Sequence, residues 1–454
     1  RPIDNARDSG LNRTAAPQDF VWLPWLDVVL RTLVWLQASG CYPALGKFDH
    51  VDAYKVWPSR ASDQWAALLL TTTPEGHPVA FRNKALNFGA LGSVWGYCWL
   101  STSLAISLSW ALGLIVMAYV DDFATIAPAS CSLSGIVALH NALGIPIHTK
   151  PGKIQDPAQG VPCPLLGVII TAGRYRVTSA NEPARISKLV AVSNHLIAQK
   201  SVTAVAWRQA VGRLAFAAGQ SWGRTARAAL RVLYRALGKN ASVHVTPMLR
   251  AWLSSLATTL ETSPPRILSA RGTRPRCTLW ADGAWSNDSG TVGAVLHTPV
   301  GVFCWGDVVP TSVVTAWQKA GTHIVYPAEL YAVWVSLLTF QGLLRGSALI
   351  FEDKEGARFS LTTGSTANPA AAIQVFRIWL LFQQLDVLPW VTRVPSKSNP
   401  ADAPSRLEFN QGRALGWGKI PAKFPNLSVL PTSAPAQGKL VFCFLFVGTG
   451  VRAV

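Results

Sequence analysis

The sequence predicts three parts in series: an α+β unit, a helical segment and an α/β unit. Three observations lead there. Short apolar, β-prone runs mix with helical stretches from Arg1 to about Ile170. A helical apolar period with recurrent arginines runs from about Pro183 to Leu237, and helices alternate with strands from Tyr326 to Arg406. The 454 residues suffice for several domains that each bury a core, since a domain takes roughly 100 to 200 residues.

Composition limits the partners. Lys and Arg number 41 against 23 Asp and Glu, a net charge of +18 with only 14% of residues charged. That excess points to a polyanion, nucleic acid ahead of an anionic membrane. Half the residues are hydrophobic, which excludes a largely disordered chain. The 7 cysteines form no CxxC pair, so neither a zinc ribbon nor a disulfide scaffold is indicated. A reducing intracellular compartment fits, cytoplasm or nucleus, rather than secretion. The chain opens on Arg1, holds 2 Met and has no secretory leader, and it reads as a fragment of a longer reading frame.

Ser93 to Val120 carries no charged side chain and exceeds the ~20 apolar residues that span a bilayer. It is nevertheless rich in serine, broken by Gly96 and Gly113, and runs directly into Asp121 and Asp122 with no Lys or Arg flank. A buried helix followed by a buried strand is the expectation, and no membrane partner is expected; a membrane span is the competing reading.

Further along, Arg208, Arg213, Arg224, Arg227, Arg231 and Arg235 recur on an apolar helical pattern. They form either a solvated face or a face laid along a phosphate backbone. Proline, glycine and serine around Pro264, Pro265 and Gly272 read as a linker. CTLWADGAW and then TVGAVLHTPVGVFCWG read as strands, the latter hairpin-like. After Leu407 no period is evident, LVFCFLFVG is too short to cross a bilayer, and no internal repeat is seen.

Two sets of acids stand out. LIVMAYVDDFATIA places Asp121 and Asp122 between two β-prone runs, as at the tip of a tight hairpin. Adjacent carboxylates at a sheet edge are costly to ionise unless water or a cation attends them. Asp49, in GKFDHVDAYKVWP, ends another strand-like segment and would bring a third acid into the same sheet. Three such acids could converge on paired Mg²⁺ ions, activate a primer 3′-hydroxyl and hold pyrophosphate. Gly89 and Gly92, in LNFGALGSV, would let backbone approach a base pair closely.

In the second set, Asp282 is expected to end a strand. Glu329 should open an amphipathic helix whose Leu330, Val333, Leu337 and Leu338 face a sheet. Glu352 and Asp353 should end another strand, and Asp402 should start a helix. Four of these acids, Asp282, Glu329, Asp353 and Asp402, could cluster over one sheet edge and hold two metals about 4 Å apart.

The order and wording of these segments resemble the reverse transcriptases of retrotransposons. RPIDNARDSGLN is similar to the fingers-to-palm entry, DHVDAY to the first palm motif D-x-x-x-A-Y, NFGALGS to the PFG motif and YVDD to the metal-binding hairpin. LGIPIHTKPGKIQDP and LLGVII resemble the next two motifs, and AVGRLAF the thumb segment. From Asp282 onward, DGA, AEL and NPADAPSR resemble the ribonuclease H-like domain of retroelement polymerases.

The resemblance implies an α+β palm polymerase with a ferredoxin-like palm sheet, a helical thumb, and an α/β ribonuclease H-like domain. Its boundaries would be palm with partial fingers at 1–170, thumb and connection at 171–262, linker at 263–275, ribonuclease H-like domain at 276–410 and an irregular tail at 411–454. It implies that Asp49, Asp121 and Asp122 are catalytic metal ligands and that Tyr54 clashes with a ribose 2′-hydroxyl. Phe88 and Gly89 would line the nucleotide pocket, Arg1 would contact the triphosphate, and Lys153, with Lys150 as the alternative, would be the family's lysine. Asp282, Glu329, Asp353 and Asp402 would hold the metal that cleaves RNA. The implied cofactor is Mg²⁺, two ions per active site, with Mn²⁺ as the alternative ion. The implied partners are an RNA template, a DNA primer, the RNA·DNA hybrid and dNTPs.

The departures are Asn87 in place of the usual Pro, no arginine in the following helix, Lys354 in place of the usual Asn, Arg393 where some relatives carry His, and most of the fingers missing ahead of Arg1. They define the alternative, a decayed, inactive remnant that only binds nucleic acid.

Overall fold

The structure, a computed structural model, describes residues 12, 23–24, 26–87, 89–238, 241–270, 275–286, 289–319 and 324–425. They divide into two compact units. The first runs to Ile186 and adds Gly219–Gly223 and the segment from Ser263; the second takes Ser187–Ala218, Arg224–Thr262 and the chain from Pro275.

The first unit is built on a three-stranded antiparallel sheet. Helix α1 (Leu26–Ala38) buries Leu26, Val29, Leu30, Leu33 and Gln37, one stripe at helical spacing. Strand β1 (Pro43–Asp49) follows and is almost wholly buried. An exposed ribbon, β2 (Leu68–Thr72) and β3 (Pro78–Arg82), leads to α2 (Leu91–Leu112). Gly113, left-handed at φ 65°, ends α2 and turns the chain into β4 (Ile115–Tyr119). Strand β5 (Asp122–Pro128) lies between β1 and β4, antiparallel to both.

Phe48 and Phe123 stack at 4.5 Å and anchor a core with Leu104, Leu108, Val116 and Ile136, the last from α3 (Ser134–Ala142). Ser93 to Val120 is thus a helix followed by a strand. Among the described residues no helix is long and apolar enough to cross a membrane.

A second antiparallel sheet holds β6 (Cys163–Leu165), β7 (Val168–Ala172) and β8 (Arg176–Asn181), and α4 (Pro183–Ala198) leaves it. Its fourth strand corrects the sequence reading: within the expected linker at 263–275, Arg266–Ser269 forms β9 against β8. The free edge of β8 offers backbone donors and acceptors that a passing extended segment satisfies. An ion pair of Arg266 with Asp27 at 2.6 Å fixes β9 to α1.

In the second unit the helices α5 (Ala204–Gly219), α6 (Arg227–Arg235) and α7 (Pro247–Thr262) bury apolar stripes. Trp207 of α5, fully buried, donates from Nε1 to the Leu233 carbonyl of α6 at 2.9 Å. Arg227, Arg231 and Arg235 lie one turn apart on the exposed side of α6. The sheet comprises β10 (Cys277–Ser286), β11 (Ser289–Thr298) and β12 (Gly301–Val308) as an antiparallel meander. Helices α8 (Thr311–Lys319) and α9 (Val325–Thr339) lead to β13 (Gly346–Glu352), which runs parallel to β10. Helices α10 (Glu355–Thr363) and α11 (Pro369–Gln384) lead to β14 (Val387–Arg393), parallel to β13.

Helix α9 is buried on nearly every side, not on the single stripe expected, because the sheet covers one flank and α11 the other. The expected irregular tail is also ordered at its start. Asn410–Ala414 is helical and Gly418–Lys419 pairs with β12, while 426–454, including LVFCFLFVG, lie outside the described residues.

The short helix α12 (Asp402–Ser405) sits directly on the sheet because two strand positions lack a side chain. A Cβ at Gly293 would stand 2.4 Å from the Ser405 nitrogen, and one at Gly306 2.0 Å from the Pro404 carbonyl oxygen. Gly293→Ala should therefore destabilise the second unit by about 1 to 3 kcal/mol through overpacking. Gly342→Ala, where nothing lies within 4 Å, should change stability by less than about 0.5 kcal/mol. Urea unfolding of the two variants checks the difference.

Candidate active sites

The first site grows from strand register. Asp49, last in β1, lies directly opposite Asp122, first in β5, and Tyr119 lies opposite Asp122 on the other side. Directly paired residues on antiparallel strands have Cα atoms about 4.5 to 5.5 Å apart, so two acids distant in sequence become near neighbours. Val120 and Asp121 alone join β4 to β5, which is the tight hairpin expected. Val120 is left-handed at φ 56°, unfavourable for a β-branched residue and worth about 1 to 3 kcal/mol of strain.

Strand alternation turns Asp49 and Asp122 away from the Phe48–Phe123 core. Asp122 lines a small cleft with Met117, Tyr119, Leu165 and Leu166. Burial first, then the charges of Asp121 and Asp49, raise its affinity for a proton. Asp49 is buried; Oδ2 is paired with the Lys153 ammonium, and Oδ1 is buried without a hydrogen-bond partner. The hydrogen bond to Asp49 is also the main reason the Lys153 pKa rises. Asp49 and Asp122 pair in register and Asp49 has an orphaned oxygen, donors that suit a hard divalent cation; among the described residues their oxygens and those of Asp121 do not form a three-ligand group.

Tyr54 packs beside this edge. Its ring centroid lies 4.9 Å from that of Tyr97, and burial, then Cys98 and Asp121, push its hydroxyl up to about 12. Gly89 is left-handed at φ 91° and exposed. Its carbonyl accepts from Asn12 Nδ2 at 3.0 Å, and Asn12 Oδ1 accepts from the Leu91 amide at 2.7 Å. Asn12 thus clamps this turn to the start of α2, a role the sequence reading missed although Asn12 closes RPIDNARDSGLN. Arg1 and Phe88 lie outside the described residues.

At the second site one oxygen from each of Asp282, Glu329 and Asp353 lies within 4.8 Å of the others. Three placements differ from expectation. Asp282 lies inside β10, which continues to Ser286, and Glu329 lies one turn into α9, which begins at Val325. The third is Asp402: its Oδ1 accepts from Arg406 Nε at 3.1 Å and Nη2 at 3.0 Å, and it stands outside the three-acid group. The pull is local, since Arg406 lies one helical turn further on. Glu329 reaches its place because Gly283 lets α9 close on β10; the Gly283 amide donates to Glu329 Oε2 at 3.0 Å. Ser405 donates its hydroxyl to Asp282 Oδ2.

Burial dominates the electrostatics here. It pushes Asp282 up to about 6, against the Ser405 hydrogen bond, and raises Glu329 strongly, with the charges of Asp282 and Asp353 adding. Glu352, missed as a site residue, is fully buried with neither carboxylate oxygen hydrogen-bonded, and burial followed by Glu329 raises it well above the usual range. Asp353 Oδ1 is likewise buried and unpartnered. Three converging acids with an orphaned oxygen fit a divalent metal.

No protein-family model matches the sequence, and no curated protein matches it. Among solved structures, the foamy viral protease-reverse transcriptase bound to double-stranded DNA is similar at TM-score 0.44 and 13% identity, over 86% of this chain and 62% of that one. The same viral enzyme with an RNA/DNA hybrid gives TM-score 0.42 and 12% identity, over 87% of this chain and 49% of that one. Ribonuclease H1 of Halobacterium salinarum gives TM-score 0.25 and 21% identity, over 30% of this chain and 98% of that one. This chain therefore spans less than two thirds of either viral chain. What the sites do is read from their own residues.

Asp282 and Glu329 hold protons more tightly folded than unfolded, so their contribution to stability is complete at about pH 4 and declines as pH rises through 6 and beyond. Without divalent metal, the thermal midpoint of the second unit should fall across that window. Glu329→Gln should flatten the decline, and added Mg²⁺ should raise the midpoint more at pH 8 than at pH 6, as scanning calorimetry of the chain would record.

Proposed function

We propose that the chain carries the palm and thumb of a retrotransposon RNA-directed DNA polymerase, followed by a ribonuclease H-like domain that cleaves RNA in RNA·DNA hybrids. One observation carries the reading: Asp49 paired in register with Asp122 beside the two-residue Val120–Asp121 turn. DHVDAY starts at the end of β1 and YVDD spans the turn between β4 and β5, which supports it. Mg²⁺ held there would activate a primer 3′-hydroxyl and take up charge on the leaving pyrophosphate.

The chain's own groups do the rest. Asp49 and Asp121 are the metal ligands of this reading, with Asp122 beside them. Lys153, released from Asp49, is free to meet a triphosphate. Tyr54 bars a ribose 2′-hydroxyl, and Gly89 admits the template base. In the second unit Asp282, Glu329 and Asp353 hold the cleavage metal, and Asp402 joins them by leaving Arg406. The net charge of +18 suits a phosphate-rich partner, whose binding weakens as salt rises.

A second reading is favoured by two internal ion pairs. Lys153 on Asp49 and Arg406 on Asp402 already neutralise two of the carboxylates that turnover needs. On that reading the chain is a decayed remnant that binds nucleic acid without chemistry. Primer extension on an RNA template with dNTPs and Mg²⁺ separates them. The polymerase reading expects extension that Asp121→Ala lowers by roughly 10³-fold or more, as loss of a group central to transition-state stabilisation does. Binding of an RNA·DNA hybrid with no extension by the unaltered chain would establish the remnant instead.

A further inference from the structure

Behind the first site lies a buried chain of polar groups. Tyr97, on the inward face of α2, is fully buried, and its hydroxyl stands 2.8 Å from His50 Nδ1. His50 Nε2 stands 3.1 Å from His140 Nε2, and His140 Nδ1 stands 2.8 Å from the Ile136 carbonyl oxygen. Both histidines are buried, so these three contacts connect α2, β1 and α3 without solvent.

With both rings neutral, a single arrangement of protons satisfies every contact. A carbonyl accepts only, so His140 carries its proton on Nδ1 and presents Nε2 as an acceptor. His50 must then donate from Nε2, which leaves its Nδ1 to accept, and Tyr97 must donate its hydroxyl. In that arrangement the chain is directional, anchored at the α3 backbone and ending on the Tyr97 ring.

That ring is the backing of Tyr54. The two rings lie 4.9 Å apart at 35°, and Tyr54, Tyr97 and Ala53 form one buried cluster against which Val120 of the acidic hairpin packs. On its other side His50 packs on Phe123 at 4.6 Å, so its ring plane is fixed by the core. A tyrosine held at both its ring and its hydroxyl has one rotamer. Its neighbour Tyr54 cannot retreat in that direction without opening a cavity.

We infer that Tyr97, oriented by His50 and His140, is a positioning residue for Tyr54 and sets how strongly the site rejects ribonucleotides. The inference rests on the polymerase reading, in which Tyr54 meets the sugar. A displacement of about 1 Å in a positioning contact can change a rate by roughly 10²-fold, so a loosened ring relaxes the clash with a 2′-hydroxyl before it alters chain extension.

Tyr97→Phe tests this, because it removes one hydroxyl and keeps the ring. Single-nucleotide extension is measured with a dNTP and with the matching ribonucleotide. The expected result is a dNTP kcat/KM lowered by no more than about 3-fold with the dNTP-over-rNTP preference reduced by about 10-fold, equivalent to 1.4 kcal/mol. His50→Asn, whose amide oxygen replaces the Nδ1 acceptor, should keep more of the preference than His50→Phe. In a Tyr54→Ala background Tyr97→Phe should add nothing, since the two then act through one group. Equal losses for both nucleotides, or an unaltered preference, overturn the inference and leave the polymerase standing. If the unaltered chain extends with neither nucleotide, the polymerase reading fails and the inference falls with it.

Discussion

Carboxylates repel one another at short range, and burial removes the water that would screen them. Both candidate sites concentrate this cost. The backbone imposes it: a cross-strand register brings Asp49 to Asp122, and a helix laid on Gly283 brings Glu329 to Asp282. Folding energy spent elsewhere, on the Phe48–Phe123 stack and on a fully buried α9, holds these acids where electrostatics alone would separate them. The compensation differs between the two. The first site has an internal cation, Lys153, whereas at the second, burial raises the proton affinity of Asp282, Glu329 and Glu352.

This difference explains what could be read from the sequence. The hairpin at Asp121 was legible because two β-prone runs flank it at the spacing of a two-residue turn, and Asp49 because it closes a similar run. The break in Ser93 to Val120 was legible from Gly113, which indeed ends α2. Partners were not legible. No local pattern says that Lys153 will take Asp49, or that Arg406 will draw Asp402 out of line, since a carboxylate chooses among cations only after the chain is folded. Strand β9 was hidden for the same reason: Arg266–Ser269 is extended because β8 has an open edge, and proline-rich flanks suggest a loop.

The periodicity of α9 shows a second kind of limit. Its apolar residues were read as one stripe against a sheet, yet the helix is enclosed by the sheet and α11 together. A run such as YPAELYAVWVSLL has little amphipathic contrast, and the absence of contrast was itself the signal of a central helix. Enclosure has a chemical consequence. Glu329 enters the site from a largely enclosed helix and is 3% exposed, so it is far more desolvated than Asp402, which arrives on a four-residue helix and stays half exposed.

Neighbouring acids in sequence need not share a fate. Glu352 and Asp353 adjoin, yet Asp353 offers an oxygen to Asp282 and Glu329 while Glu352 is sealed beneath with none of its oxygens hydrogen-bonded. The two-residue period of a strand accounts for it, because consecutive side chains leave by opposite faces. Glu352 occupies the face that α9 covers, as buried Ala348 and Ile350 do, and a charge there would have no solvation. Burial, followed by the charge of Glu329, raises its proton affinity well above the usual range. The same period, with a left-handed Val120 inserted, sets Asp122 on the face of Asp49 and gives Asp121 to the turn. In the strand, alternation decides which carboxylate stands among the other acids; at the hairpin, the turn pairs Asp122 with Asp49 and keeps Asp121 close enough to raise the proton affinity of Asp122.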